Sequence, residues 1–358
     1  MDVGGYDAVD HHHRFGHFSS ISILINNIIG PGITQLPRFY QHCGWVLTTA
    51  IIVITGVGTC IAGVYLCEAV RLIHGNSDFS RRFEYSAVVR HYFRSRGLLR
   101  WICTFVIIVN LEMLLIMSIV QSTQLLDAAL TQLPWTKHES CGLVMLPPQR
   151  VGEPICWDSQ HSVYSQPGGP AVLSVGMLLV ALSTVPLSLY DLDANIFVQQ
   201  LSFLLTIGII FIGWICGITY FRARGDAPHD PTPAPAVPSP DLPAWPSRDD
   251  SALTELLGAC IFNFNYVFFL PTWANERRKD VGINWGVWTS TAIGIACFVA
   301  TGCWGAATYA FNGKANDMLM HLANDHSSGG TRSWVVIFSS FNTQVSWRLS
   351  LILFPWTD

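Results

Sequence analysis

Charged residues are scarce in this sequence. Asp, Glu, Lys and Arg make up only 12% of its 358 residues, whereas soluble domains carry about 25%. Three long runs contain none of them, namely Cys43–Cys67, Ala194–Phe221 and Val281–Gly313. Each run is longer than the roughly 20 residues with which an apolar helix crosses a bilayer. The composition therefore excludes a soluble enzyme or a disordered scaffold and indicates a polytopic membrane protein in a lipid bilayer.

Signatures of catalysis and of nucleic-acid binding are also absent. The formal net charge of −4 provides no excess of positive charge for a polyanion. No GxSxG, HExxH or phosphate-loop motif occurs. The run His11–His13, followed by His17, has no Cys or carboxylate cluster to complete a metal site, so we interpret it as a solvated run. These absences predict that the chain is not an enzyme and uses no metal or cofactor, while protein partners stay unknown.

The hydrophobic segments number eight and predict an all-α membrane domain over residues 18–356, after an N-terminal region of residues 1–17. The first segment has no small-residue cleavage site, so it is not a signal peptide. The last segment stops at Pro355–Asp358 without a polar tail, and we expect the chain to be cut inside or at the end of its eighth span. The segments are residues 18–39, 44–71, 99–129, 170–190, 195–221, 253–273, 284–311 and 333–356.

Positive residues are distributed unequally between the two sides of the predicted bundle. The N-terminus and the loops after the second and sixth segments carry 11 of them, against seven on the other side. Because short cytoplasmic loops are enriched in Lys and Arg, the N-terminus is predicted to be cytoplasmic. The loops at residues 130–169 and 222–252 then face away from the cytoplasm.

These two long loops differ in composition. Residues 130–169 contain Cys141 and Cys156, which lie where oxidation is permitted, so a disulfide is predicted, with two free thiols as the alternative. Residues 222–252 contain eight prolines, which favour an extended spacer between two halves of the molecule.

The first segment contains the sequence Asn26 to Pro37, with Gly30, Pro31 and Gly32 at its centre. Proline removes a backbone donor, and the flanking glycines permit non-helical dihedral angles, so the helix should be interrupted there. Interrupted backbone inside a membrane survives where it lines a cavity, and its free groups can hold a zwitterion or a cation. The alternative is a proline kink that serves packing alone.

The sixth segment resembles the first, because both end in Leu-Pro and both carry a pair of asparagines upstream. In the sixth segment these are Asn263 and Asn265, before Leu270 and Pro271. Two interrupted segments five spans apart are typical of an inverted repeat of five helices plus five.

Glu112, in the third segment, is the one carboxylate that we expect well inside a span. A charged side chain in the bilayer is costly and normally faces a cavity or a partner. Its role is either that of a proton carrier or that of a neutral side chain bonded to a neighbouring helix.

Several motifs, in order, resemble the amino acid/auxin permease family, and within it the vacuolar-type neutral amino acid transporters of fungi, algae and protists. The resemblance covers about residues 20–350. It rests on the following residues: Asn26–Ile33 with Leu36-Pro37 and Gly44-Trp45, Cys67–Ala69 with His74–Asn76 and Phe83–Tyr85, Pro186–Leu189 with Leu192–Asn195, and Pro271–Arg277.

The resemblance implies eleven helices in a five-plus-five inverted repeat, of which this chain is incomplete after helix 8. It also implies cotransport of amino acids with H⁺ or Na⁺ by alternating access, at a vacuolar, lysosomal or plasma membrane. Asn26 corresponds to the family's asparagine before the helix break, and this makes Asn26 a candidate ligand of the coupling cation. Substrate would bind at Gly30, Pro31, Gly32, Ile33, Asn263 and Asn265. The alternative is a transporter-like sensor that binds an amino acid without net transport.

The expected pocket wall contains no charged side chain. An ionic substrate side chain would lose its hydration there without gaining a partner, so the wall predicts neutral amino acids. Proton coupling through Glu112 is favoured over sodium coupling through Asn26. The wall comprises Asn263, Phe264, Asn265 and Tyr266 with Ile33 and Thr34.

Overall fold

The computed structural model describes residues 15–79, 83, 85–93, 97–131, 139–146, 148–158, 171–188, 196–208, 242–245 and 250–308. Within these ranges the chain forms mostly α-helices, as its long apolar runs predict. The helices are α1 (His17–Ile28), α2 (Leu36–His42), α3 (Trp45–Arg71), α4 (Tyr85–Tyr92), α5 (Gly97–Thr131), α6 (Val175–Ser188), α7 (Ile196–Gly208), α8 (Asp250–Asn263), α9 (Leu270–Glu276) and α10 (Ile283–Thr308).

Four helical stretches of the described residues are long and apolar enough to cross a membrane, judged by length and composition. They are Trp45–Arg71, Gly97–Gln124, Ala252–Glu276 and Ile283–Ala307. The predicted fourth and fifth segments contain the shorter helices α6 and α7, and the predicted eighth segment lies outside the described residues. The molecule is therefore a polytopic helical membrane protein.

The first apolar segment is divided into three pieces. α1 ends at Ile28, and Gly30 is extended at φ −86° and ψ 179°. A short 3₁₀ helix then runs from Pro31 to Gln35, and α2 begins with Leu36-Pro37. Proline suits the first turn of a helix, where its missing N–H would have no partner, so each of the two prolines begins a new piece.

The sixth apolar segment has the same arrangement. α8 ends at Asn263, a 3₁₀ helix runs from Asn265 to Phe269, and α9 begins with Leu270-Pro271. The 3₁₀ helix has five residues and the second α-helix seven in both segments. We call these two regions the first and second interrupted segments, residues 17–42 and 250–276.

The long helices α3 and α10 pack against each other and against both interrupted segments. Glycines allow the close approaches. A Cβ atom added at Gly56 of α3 would lie 2.8 Å from Ile295 and 3.0 Å from the ring of Phe264, and one added at Gly294 of α10 would lie 2.6 Å from Ile28. Each long helix is thus held near the interruption of the segment from the other half of the chain.

A small β-sheet corrects the expectation of an all-α fold. Strands β1 (Glu139–Leu146), β2 (Pro154–Asp158) and β3 (Ala171–Ser174) form an antiparallel sheet in the order β2-β1-β3. Its side chains Val144, Trp157 and Val172 are buried. Strand β3 also takes the first residues of the predicted fourth segment, because they pair with β1 before α6 begins.

A disulfide joins the first two strands. Cys141 and Cys156 are directly opposite each other in the β1–β2 register, with Cα atoms 4.1 Å apart, and their Sγ atoms are bonded. The covalent bond therefore closes the connection between β1 and β2.

Candidate functional site

The two interruptions meet at Gly32 and Asn263. A Cβ atom added at Gly32 would lie 2.6 Å from Oδ1 of Asn263 and 2.8 Å from its Nδ2. The sequence places the amide at the last residue of α8 and the glycine in the 3₁₀ helix after α1. Only a residue without a side chain permits this approach, so the amide of one segment lies against the backbone of the other.

The Asn263 amide is buried without a partner. Its side chain is 2% exposed, and neither Oδ1 nor Nδ2 makes a hydrogen bond to any residue that the structure describes. An unsatisfied buried amide costs on the order of 1–3 kcal/mol per polar group. A polar ligand with both donors and acceptors would recover that free energy.

Asn265 connects the second interrupted segment to a third helix, α5. Its Nδ2 donates a hydrogen bond to Oδ1 of Asn110 on α5, at 2.7 Å. Both amides are half-buried. Asn110 was not among the predicted site residues, although the sequence shows it as a rare polar residue within an apolar run; only the fold reveals that it faces the second interrupted segment.

Tyr266 and Phe264 anchor the second interrupted segment to α10. Thr291 donates its hydroxyl proton to the carbonyl of Val287 at 2.7 Å, so the Tyr266 hydroxyl donates to Thr291 Oγ1, also at 2.7 Å. The Phe264 ring packs edge to face on Phe298, with ring centroids 5.3 Å apart. The polar group of Tyr266 is thereby committed to α10.

The remaining predicted residues of the first interrupted segment follow α1 directly. Gly30 lies between α1 and the 3₁₀ helix, and its carbonyl accepts a hydrogen bond from the Ile33 amide at 3.2 Å. Pro31, Gly32, Ile33 and Thr34 belong to the 3₁₀ helix, in which Thr34 is buried and Ile33 half-buried. The structure therefore brings this stretch together with Asn263.

Asn26 lies one turn before the interruption and binds α7. Its Nδ2 donates to the backbone carbonyl of Gln199 at 2.7 Å and to Oε1 of the same residue at 2.8 Å. Asn26 and Gln199 are both buried. Sequence reasoning did not single out Gln199, since nothing in the sequence indicates which of the many polar residues meets Asn26.

Glu112 lies within the apolar stretch Gly97–Gln124, inside a candidate span as the sequence predicts. Its side chain is exposed on α5, two residues from Asn110. Two residues turn an α-helix by about 200°, so the face that carries Glu112 is opposite the one that meets Asn265. The buried carboxylates of the described residues include instead Asp127, whose Oδ1 accepts a hydrogen bond from the Gly176 amide at 2.9 Å, and Glu276.

Both ends of the interrupted segments are tied together. At one end the Phe15 amide donates to the carbonyl of Glu276 at 3.2 Å, and the Arg278 amide donates to the carbonyl of Phe15 at 3.0 Å. At the opposite end Arg38 of α2 forms an ion pair with Glu255 of α8 at 2.9 Å. The interruption lies between these two closures.

The sequence match decides the family. The model of the family described as "Transmembrane amino acid transporter protein" matches residues 13–345, a range that contains both interrupted segments. The chain belongs to the transmembrane amino acid transporter family. No curated protein matches it.

Membership in the transmembrane amino acid transporter family fits the geometry described above. Proteins of this family are multi-pass membrane proteins that carry amino acids across a membrane, and theirs is not an enzyme family. Within the described residues no group of three or more His, Cys, Asp or Glu side chains is arranged to hold a metal ion.

Proposed function

We propose that this chain is a secondary active transporter of neutral amino acids, which works by alternating access and couples transport to H⁺ or Na⁺. One observation supports the proposal most strongly: the buried, unpartnered amide of Asn263 lies against the interrupted backbone at Gly32. Amino acids are the substrates of the family, and an amino acid presents both an ammonium donor and a carboxylate acceptor.

The binding mode follows from the hydrogen-bonding groups available. Oδ1 of Asn263 can accept from the substrate ammonium, and its Nδ2 can donate to the carboxylate. The extended backbone at Gly30 adds peptide groups, and the helix ends at Ile28 and Asn263 add partial charges. This assignment makes the substrate's zwitterionic part the common element of recognition.

Selectivity for neutral substrates follows from the side chains near the interruption. Asn110, Asn263, Asn265 and Tyr266 are polar but uncharged. A charged substrate side chain would be desolvated beside them without a counter-ion, at a cost of several kcal/mol. Lysine, arginine, aspartate and glutamate should therefore be transported poorly.

A five-plus-five inverted repeat is part of the proposal. α1 and α2 pack on α10, whereas α8 and α9 pack on α3. The 3₁₀ helix of the second segment contacts α1, and that of the first segment contacts α8. This exchange of partners between the two halves is what a pseudo-two-fold axis between α3 and α10 would produce.

Alternating access then requires the two closures to open in turn. The closure at Phe15 consists of backbone hydrogen bonds, and the closure at Arg38 consists of one partly exposed ion pair. Partly exposed ion pairs contribute about 0–1 kcal/mol. We propose that the Arg38–Glu255 end opens at little cost, and that the positive residues near Arg277 make the Phe15 end cytoplasmic.

The coupling ion has two candidate residues. Asn26 lies in the packed interior one turn before the interruption, bonded to Gln199, whereas Glu112 lies on the exposed face of α5. These positions favour a route through Asn26, and hence Na⁺, over proton transfer by Glu112.

Uptake into proteoliposomes tests the proposal. The reconstituted chain should accumulate tritiated L-alanine, L-leucine or L-glutamine when a Na⁺ or a pH gradient is imposed, and Asn263→Ala should reduce uptake at least tenfold, since a charge-assisted hydrogen bond contributes about 1.5–3 kcal/mol. Asn27→Ala is the matched control, because the Asn27 amide donates to the carbonyl of Ile23 in its own helix and to no other described residue. Uptake that is equal in both variants would overturn the assignment of the site.

A further inference from the structure

A cavity lies at the Phe15 end of the bundle, away from the interruption. Its volume is about 370 Å³, at the lower end of the range of roughly 300–1,000 Å³ for small-molecule sites. The end of α3, the loop after it, the linker between α9 and α10 and the first turn of α10 all contribute to the wall. Two separate stretches of the chain, residues 68–79 and 277–284, thus line an open pocket of ligand size.

Arg277 is one of the cations that line this cavity. It directly follows α9, and its guanidinium lies 5.2 Å from the centre of the Phe79 ring. Its Nη1 donates to the carbonyls of Arg278 and Val281, while its Nε is buried and unpaired among the described residues. Burial lowers the pKa of Arg277. No carboxylate of the described residues pairs with it, so a bound anion would supply the missing counter-charge.

The first turn of α10 adds a second anion-binding element. Gly282, Ile283 and Asn284 line the cavity at the start of this helix of 26 residues. The first N–H groups of a helix lack intrahelical partners and carry partial positive charge. Lys279, also in the wall, forms no ion pair with another residue of the described chain.

The charges of the wall limit what the anion can be. Among the described residues of the wall, three cations (Arg71, Arg277 and Lys279) accompany two carboxylates (Glu68 and Asp78), and Glu68 already pairs with Arg71 at 3.1 Å. The wall therefore has a net charge of only one, which suits a singly charged group better than a phosphate ester with nearly two charges. Asp78, which pairs with no cation of the described residues, offers an acceptor for an ammonium group beside the anion.

We propose that this cavity is a second, peripheral binding site for a free amino acid. Arg277 and the first turn of α10 bind its carboxylate, and Asp78 binds its ammonium group. Because Arg277 is covalently next to α9 and Arg278 bonds to Phe15, occupancy of the site stabilises the closed arrangement of that end. The choice of amino acids as ligands rests on the proposed function, but the site shares no residue with the interruption.

Saturation binding to the purified full chain tests this inference. Tritiated L-alanine, L-leucine and L-glutamine are each titrated onto the wild-type protein and onto Asn263→Ala. The wild-type protein should bind two molecules per chain, and Asn263→Ala should retain one. Asp78→Asn or Arg277→Gln, added to Asn263→Ala, should weaken the remaining site about tenfold or more, as expected for charge-assisted hydrogen bonds. Asp280→Asn is the matched control, because this exposed carboxylate pairs with His17 at 3.8 Å and is outside the wall.

The outcomes separate the two sites. One molecule bound to the wild-type protein and none to Asn263→Ala would overturn the peripheral site and leave the proposed function intact. Absence of binding to the wild-type protein would overturn both. Residual binding that is insensitive to Asp78→Asn, Arg277→Gln and Lys279→Gln would also contradict the inference; Asp78 and Lys279 are exposed, so their variants keep the test valid if Arg277→Gln does not fold.

Competition identifies the ligand chemistry. Unlabelled propionate, which has a carboxylate but no ammonium group, should compete at the peripheral site about tenfold less well than L-alanine. Inorganic phosphate should compete less well still. If inorganic phosphate displaces L-alanine better than propionate does, the ligand of the site bears a phosphate group. That result would overturn the proposal.

Discussion

The two interrupted segments have the same backbone shape, but their breaks have different causes. The first contains Gly30, Pro31 and Gly32 at its break, residues that oppose a continuous helix on their own. The second contains neither glycine nor proline from Cys260 to Phe269, although its helix also ends and continues as a 3₁₀ helix. In the second segment the neighbours define the break, through Tyr266 on α10 and Asn265 on α5.

The same backbone shape can therefore result from local interactions in one segment and from tertiary interactions in the other. The first segment has a break that its own sequence imposes. The break of the second segment depends on its contacts with neighbouring helices. A site made in this way has one fixed wall and one wall that depends on packing. Conformational change during transport is then expected to involve the second segment more than the first.

Gly32→Ala should have the largest effect. The new Cβ would lie 2.6 Å from Oδ1 of Asn263, so the segments must separate, which costs about 1–3 kcal/mol of stability and should abolish uptake. Thermal unfolding in detergent and uptake by proteoliposomes measure the two effects. Gly258→Ala in α8 is the control, because a Cβ there meets no atom within 4 Å.

The double variant Gly32→Ala with Asn263→Ala sharpens that test. Removal of the amide relieves the overlap, so stability should return to within about 1 kcal/mol of the wild-type value, while uptake stays lost. Recovery of uptake together with stability would mean that Asn263 serves packing and not binding.

The isolated segments should behave differently in membrane-mimetic micelles. A peptide of residues 17–42 should keep a break at Gly30–Gly32, whereas a peptide of residues 250–276 should become one continuous helix, because the bonds to α5 and α10 are absent. Backbone chemical shifts measured by NMR distinguish the two results. A persistent break in the second peptide would show that its cause is local after all.

The variants Tyr40→Phe and Tyr266→Phe each remove one tyrosine hydrogen bond, Tyr40 in the first interrupted segment and Tyr266 in the second. Tyr266 loses a buried hydrogen bond to Thr291, and Tyr40 loses a part-buried one to Thr49 at 3.0 Å. Each change should reduce stability by about 1 kcal/mol. Only Tyr266→Phe should also raise the KM for uptake, since its segment depends on that anchor; equal KM values would contradict the comparison.

Glu112→Gln should have the smallest effect. The side chain is exposed on the face of α5 opposite Asn110, so uptake and its dependence on Na⁺ and pH should stay close to wild type. Loss of pH dependence in this variant would restore Glu112 as the proton carrier.

Much of the first segment could be predicted from sequence, because its break follows from the dihedral limits of glycine and proline. The break of the second segment could be predicted only by analogy with the first, from the shared Leu-Pro and Asn pattern. No residue at the break itself opposes a helix. The rotational position of Glu112 depends on which face of α5 meets its neighbours, and a sequence does not specify that. The sheet was missed because β2 and β3 are short and because β3 lies at the start of an apolar run that reads as a membrane span.

The proposed substrate site consists of the Asn263 amide and the interrupted backbone at Gly30–Gly32. A structure of the full chain determined with a bound neutral amino acid tests it most directly. We expect the ammonium and carboxylate groups of that amino acid to lie within hydrogen-bonding distance of the Asn263 amide and the backbone of residues 30–32. An amino acid bound elsewhere, with Asn263 still unpartnered and pressed against Gly32, would contradict it.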